Sequence, residues 1–186
     1  MNVREAAYQQ KVSRYGRKAL LELWASIQAG STPEWDSGKA LEYLIIRAFQ
    51  LEHVDVKWPY SVTIDGKEII EQIDGAVYLD GLSCLIECKD QRQSDPVNVE
   101  PIAKLRNQLL RRPAATIGAV FSRSGFTDPA VTLARFTAPQ TILLWDGDEI
   151  EFGLRNTYMK RGLIAKYRTC VEYGLPDYNI RLQRLL

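Results

Sequence analysis

Asp80-Gly81 stands between two apolar runs and limits the fold of this chain more than any other short stretch. Asp-Gly flanked by alternating apolar residues is the strongest local signal for a β-hairpin with a two-residue type I′ turn. The predicted hairpin runs from Glu68 to Asp90. With residues 79 and 82 facing each other, counting outward sets Asp74 opposite Glu87, and the period-two alternation of a strand adds Lys89 to the same face. Ile69, Ile73, Val77, Cys84, Ile86 and Cys88 form the opposite, apolar face and are expected to enter the core.

Directly opposed carboxylates have Cβ atoms about 4.5–5.5 Å apart, and like charges so placed destabilise a sheet. Three compensations stay open: a cation bound between them, a shared proton, or the ammonium of Lys89. A hard divalent ion such as Mg²⁺ suits carboxylate oxygens and keeps positions for water and phosphate. The plainer alternative is a solvated edge strand neutralised by Lys89. The apolar character of the hairpin and the helical segments on each side of it speak against an edge.

The rest of the chain reads as alternating helices and strands. Tyr8, Val12, Tyr15, Ala19 and Leu23 recur at helical spacing from Arg4 to about Ala29, with Lys11, Arg14, Arg17 and Lys18 on the other sides. Gly30-Ser31-Thr32-Pro33 ends that helix. A second helix, about Glu34 to Glu52, carries Leu41, Leu44, Ile45, Ala48 and Phe49, with Glu42 at the margin of the buried stripe and within reach of Lys39 or Arg47. Its last neighbour, His53, is expected to cap or pack. Val56 to Ile64 reads as a strand in a meander with the hairpin, demoted to an edge or bulge by Pro59.

Past Asp90, Gln91 to Pro96 is polar and expected to be a mobile loop. A helix of about Val97 to Arg112 then places Ile102, Leu105 and Leu109 on one side and Lys104, Gln108 and Arg111 on another, while Arg106, Arg111 and Arg112 suit phosphates. Thr116 to Phe121 reads as a buried parallel strand, Asp128-Pro129 as a helix start, and Thr141 to Trp145 as the last strand. A final helix, Leu154 to Tyr173, carries Lys160, Arg161, Lys166 and Arg168 and stops at Gly174. These elements make an α/β fold, a mixed sheet with helices on both faces.

An Asp ending one strand, followed after a turn by Glu87-Cys88-Lys89, resembles the PD-(D/E)XK nuclease signature, and in particular its Mrr-like restriction endonuclease branch. The likeness runs from about residue 33 to 153. It includes Gly38-Lys39-Ala40-Leu41-Glu42, the Gly118–Ser122 strand leading to Ser124-Gly125-Phe126-Thr127, and Ile142 to Gly147. Ile73 stands where the motif has Pro. The resemblance implies a restriction-endonuclease-like fold with extra helices at 1–30 and 154–186, all within one nuclease domain.

It also implies that Asp74, Glu87 and the main-chain carbonyl of Cys88 ligate Mg²⁺, with Mn²⁺ as substitute. Lys89 is then catalytic, Glu42 supports the metal site, and Gln108 lies near the scissile phosphate. Lys104, Arg106, Arg111 and Arg112 would meet nucleic acid, most naturally double-stranded DNA. A role in restriction or phage defence follows, alone, as a homodimer or in a larger assembly. An inactive nucleic-acid-binding or assembly module, or a repair or junction nuclease, shares the same fold.

Formal net charge is +1, so affinity for a polyanion must come from local patches. The three cysteines and single histidine offer neither a disulfide framework nor a structural zinc site. A small-molecule phosphohydrolase would need a phosphate-cradling glycine loop, which is absent. No apolar run approaches a membrane span and the polar start lacks a signal-peptide core, so a cytoplasmic protein is expected.

Overall fold

The computed structural model describes residues 3–66, 68–79 and 81–182. Helices α1 (Val3–Ser13), α2 (Arg17–Gln28) and α3 (Lys39–Leu51) precede strands β1 (Asp55–Lys57), β2 (Tyr60–Ile64), β3 (Glu68–Ile73), β4 (Gly75–Leu79) and β5 (Leu82–Lys89). Then follow α4 (Glu100–Leu109), β6 (Thr116–Ser122), α5 (Asp128–Arg135), β7 (Ile142–Trp145), α6 (Gly147–Asn156) and α7 (Met159–Tyr173). Among the described residues no helix is long and apolar enough to cross a membrane.

The main sheet has the order β1-β4-β5-β6-β7, antiparallel through β5 and parallel beyond it. β2 and β3 form a separate two-stranded ribbon. Both sheet faces are covered, which is why β5, β6 and β7 read as continuous apolar runs. On one face α1, α2, α3, α6 and α7 pack against Val77, Cys84, Ile86, Cys88, Phe121 and Trp145. On the other, α4 and α5 pack against Ala76, Leu85, Val120, Ile142 and Leu144. The fold is the mixed α/β type expected.

The expected turn register holds, with Leu79 paired to Leu82 and Gly75 to Ile86. Asp80 lies outside the described residues, and Gly81 takes φ +87°, in the left-handed region a type I′ turn requires. The hairpin does not continue to Glu68 in one sheet. Its outer half leaves as β3, so Ile69 is 56% exposed and Ile73 joins the core on the α4 side, opposite to Val77. The meander splits the same way: β1 pairs with β4 and β2 with β3, on either side of Pro59.

Two long helices predicted from spacing are each a pair. The first breaks before Gly16, and the last breaks at Thr157, which adopts φ +53°. Thr127, rather than Asp128, caps α5, accepting from the Ala130 N–H, with Pro129 in the first turn. The segment after Asp90 is tied down rather than loose. Ser124 donates to the Asp95 carbonyl at 2.8 Å, Arg123 to Gln91 at 2.8 Å, and the Val97 N–H to Gly125 at 3.0 Å.

Candidate active site

Asp74 sits at a fork. β1 and β4 pair as far as Lys57 and Ala76, and β2 and β3 resume at Tyr60 and Ile73, so both strands leave the sheet together at Trp58-Pro59 and Asp74-Gly75. Gly75 permits this because a Cβ there would lie 2.3 Å from Ile46 Cδ1 and 3.1 Å from the Lys57 carbonyl. Only a glycine lets α3 approach so closely. Its first turn carries Glu42, which the approach sets beside the fork.

The three motif residues come together as predicted. Asp74 Oδ2 accepts the Cys88 N–H at 2.8 Å, and Lys89 Nζ lies 2.8 Å from Glu87 Oε1. Glu87 is 1% exposed on the central strand β5, between β4 and β6, so the solvated edge strand is excluded. Lys104 of α4 adds a contact that the spacing alone did not reveal. Its Nζ is 2.9 Å from Oε1 and 2.8 Å from Oε2 of the same Glu87. Lys39 pairs with Glu42 at 2.6 Å. Three carboxylates and three ammonium groups thus share the carboxyl end of β5.

The compensation is uneven. Burial, then the charges of Glu87 and Glu42, push the Asp74 carboxyl up to about 7, with only partial relief from the Cys88 N–H and Lys104. Burial also raises Glu42, against the pull of Lys39. Burial works against the charge of Lys89, but Glu87 and Asp74 outweigh it and hold the ammonium above the ordinary lysine range. Asp74 is therefore the acid short of positive charge.

Among the described residues no group of three or more His, Cys, Asp or Glu side chains is arranged to hold a metal ion. A pair of carboxylates is what Mg²⁺ takes, since it keeps several waters and substrate oxygens. Asp74, partly buried, and Glu87, fully buried, offer opposed oxygen ligands that fit such an ion, and the main-chain carbonyl of Cys88 is the adjacent neutral donor.

Other predicted residues lie elsewhere or are already engaged. Gln108 is buried and donates to the Gln72 carbonyl at 3.2 Å, which holds α4 to β3. Arg111 and Arg112 both clamp the buried carboxylate of Glu71. Burial opposes that charge, yet the two guanidinium groups outweigh it and keep Glu71 below its usual range. Arg106 is exposed on α4. His53 is exposed just past α3 at φ +60°, in the left-handed region. Lys166, expected on a basic helix face, is 0% exposed and pairs with Glu149 at 2.7 Å, which removes it from any nucleic-acid surface.

Residues 36–151 match the Mrr_cat family, described as restriction endonuclease. The chain belongs to that family. The matched segment of this restriction-endonuclease-type nuclease contains the fork, all three carboxylates and their three lysines, and nearly coincides with the 33–153 core expected from the motifs. Among solved structures it is similar to the protein of unknown function AF1548, at 16% identity and TM-score 0.48 over 73% of this chain and 77% of that one. It is also similar to the MspJI restriction endonuclease in complex with a 27-mer oligonucleotide, at 16% identity and TM-score 0.40 over 94% of this chain and 36% of that one. No curated protein matches the sequence.

Proposed function

We propose that the chain is a divalent-metal-dependent endonuclease that hydrolyses phosphodiester bonds of double-stranded DNA, in the manner of an Mrr-like restriction or phage-defence enzyme. The observation that carries this reading is the Asp74 and Glu87 pair at the fork, Asp74 partly buried and Glu87 fully buried on the central strand with Lys89 2.8 Å away, in a chain of this family. An inactive module has no reason to keep two carboxylates in repulsion. Asp74, Glu87 and the Cys88 carbonyl would hold Mg²⁺ or Mn²⁺. When bound, such an ion supplies a lowered water pKa and charge stabilisation on phosphate oxygens.

The chain's own residues do the rest. Asp74 is held in position by the Cys88 N–H. Lys89, a compact point charge on the same face, orients the attacking water and neutralises charge developing on the phosphate. Glu42 and Lys39, paired at 2.6 Å, support the fork from α3. Exposed Arg106 and the groove side of α4 meet the backbone. The protein works in the cytoplasm, alone, as a homodimer or in a larger defence assembly.

The test is cleavage of supercoiled, linear, methylated and single-stranded DNA with Mg²⁺, Mn²⁺ or a chelator. Cutting that needs the divalent ion and disappears in Asp74→Ala and Glu87→Ala is expected. Cutting that persists in the chelator, or in both variants, overturns the reading.

A further inference from the structure

The carboxylate of Glu87 already has a cation on each of its oxygens. Lys104 Nζ spans both, at 2.9 and 2.8 Å, and Lys89 Nζ is 2.8 Å from Oε1. Lys89 projects from β5 itself, two residues further along and on the same face as Glu87. Lys104 comes from a different element, and its side chain is 45% exposed, so its long stem can turn outward without disturbing the core. Outward lies an open groove between α4 and β3, lined by Lys104, Asn107, Arg111, Gln72, Ile69 and Ile70.

A carboxylate ligates a hard divalent ion through the same lone pairs that accept from an ammonium. An ammonium astride both oxygens and a doubly charged ion on either are mutually repulsive at this range. A freed ammonium on the groove side of α4 can pair with a phosphate that lies there.

We infer that Lys104 is a positioning residue that fills the cation site of Glu87 in the free protein and passes its ammonium to a nucleic-acid phosphate when a divalent ion takes that site. The inference rests on the divalent-metal reading above. It makes metal and DNA binding reciprocal: DNA tightens the metal by drawing Lys104 away, and metal tightens DNA by releasing it.

Ca²⁺ titration calorimetry, with and without a short duplex, tests this on the full chain as wild type, Lys104→Met, Lys104→Arg and Asp74→Ala. In wild type the duplex should tighten Ca²⁺ by a factor within the usual span of about 5–150-fold for coupled sites. Lys104→Met should bind Ca²⁺ about tenfold more tightly than wild type without DNA, and the duplex enhancement should shrink by a similar factor. Lys104→Arg, whose guanidinium can also span both oxygens, should behave as wild type. A residue that merely supported the fold would weaken Ca²⁺ binding when removed. The inference is overturned if free Lys104→Met binds Ca²⁺ no more tightly than wild type, or if the duplex enhances its affinity as much as it does in wild type. Equal Ca²⁺ binding by wild type and Asp74→Ala would instead strike at the metal site itself.

Discussion

The carboxylate of Asp74 accepts the main-chain N–H of Cys88 at 2.8 Å, while Glu87 opposite is bracketed by two ammonium groups. The two acids are thus unequal in the metal-free protein. Asp74→Asn should leave metal-free stability equal or higher, whereas Glu87→Gln should lower it by about 1–3 kcal/mol, because it strips two ammonium groups of their anion. Urea unfolding in a chelator separates the two. Equal effects of both substitutions would contradict the asymmetry.

The same asymmetry sets a pH dependence. The Asp74 carboxyl titrates near 3.8 when unfolded and at about 7 in the fold. Over that window the folded chain keeps a proton that the unfolded chain has released, so metal-free stability should fall as pH rises from about 4 to about 7. Glu42, raised by burial, adds in the same direction. Denaturation at about pH 5 and about pH 8 should differ by on the order of 1 kcal/mol or more in wild type, and by less in Asp74→Asn. A wild-type protein equally stable at both would show that the fork charges are compensated.

Lys89→Met keeps much of the alkyl stem and removes the ammonium. Ca²⁺ affinity should survive, and single-turnover cleavage should fall by at least about 10²-fold, the lower end for a positioned proton-transfer group. Near-normal cleavage would take Lys89 out of the chemistry.

Arg112 and Arg106 should separate stability from binding. Glu71 is buried, so Arg112→Ala should destabilise by up to about 3–5 kcal/mol, as breaking a buried pair does, with Arg111→Ala costing less because that side chain is 53% exposed. Arg106→Ala should leave stability alone. It should flatten the slope of log affinity against log salt by about one unit in Ca²⁺ and weaken all DNA sequences alike. A slope that changes with Arg112→Ala but not Arg106→Ala would move the phosphate contacts.

Lys166 lies inside the fold, 2.7 Å from Glu149 and 2.5 Å from the Tyr178 carbonyl, with its Nζ 5.4 Å from the centre of the Trp145 ring. Lys166→Ala should cost about 3–5 kcal/mol by leaving the Glu149 carboxylate buried without its counter-ion, and Lys166→Met with Glu149→Gln, which keeps an acceptor for the Ile180 N–H, should recover part of it. Calorimetric melting of both variants is the check. An unchanged Tm for Lys166→Ala would place that ammonium in solvent.

The local parts of this site were legible because they depend on short-range rules. Asp80-Gly81 set the register that opposes Asp74 and Glu87, and alternation carried Lys89 along. What escaped was long-range. Ile73 and Val77 read as one face because the fork between them is invisible to alternation, although Gly75 inside a strand was the available sign of a close backbone approach. The clamp of Arg111 and Arg112 on Glu71 spans 40 residues or so of chain, and Lys166 finds Glu149 only once α6 and α7 are packed. The pairing of Lys104 with Glu87 was not legible, because helical spacing says which face a residue shares, not what lies across from it. Helix breaks at Gly16 and Thr157 were bridged by apolar residues that kept the helical period through the interruption.

The sheet face beneath α3 carries one more implication. Leu20, Trp24 and Ile27 of α2, and Met159 and Leu163 of α7, are part of the same buried cluster as Phe49 and Phe121. They lie outside the 36–151 segment that defines the family. Excising that segment would leave α3 in place but expose the apolar side chains that α2 and α7 cover on this face, so residues 36–151 alone should be less stable than the full chain, a difference that thermal melting of the two would measure.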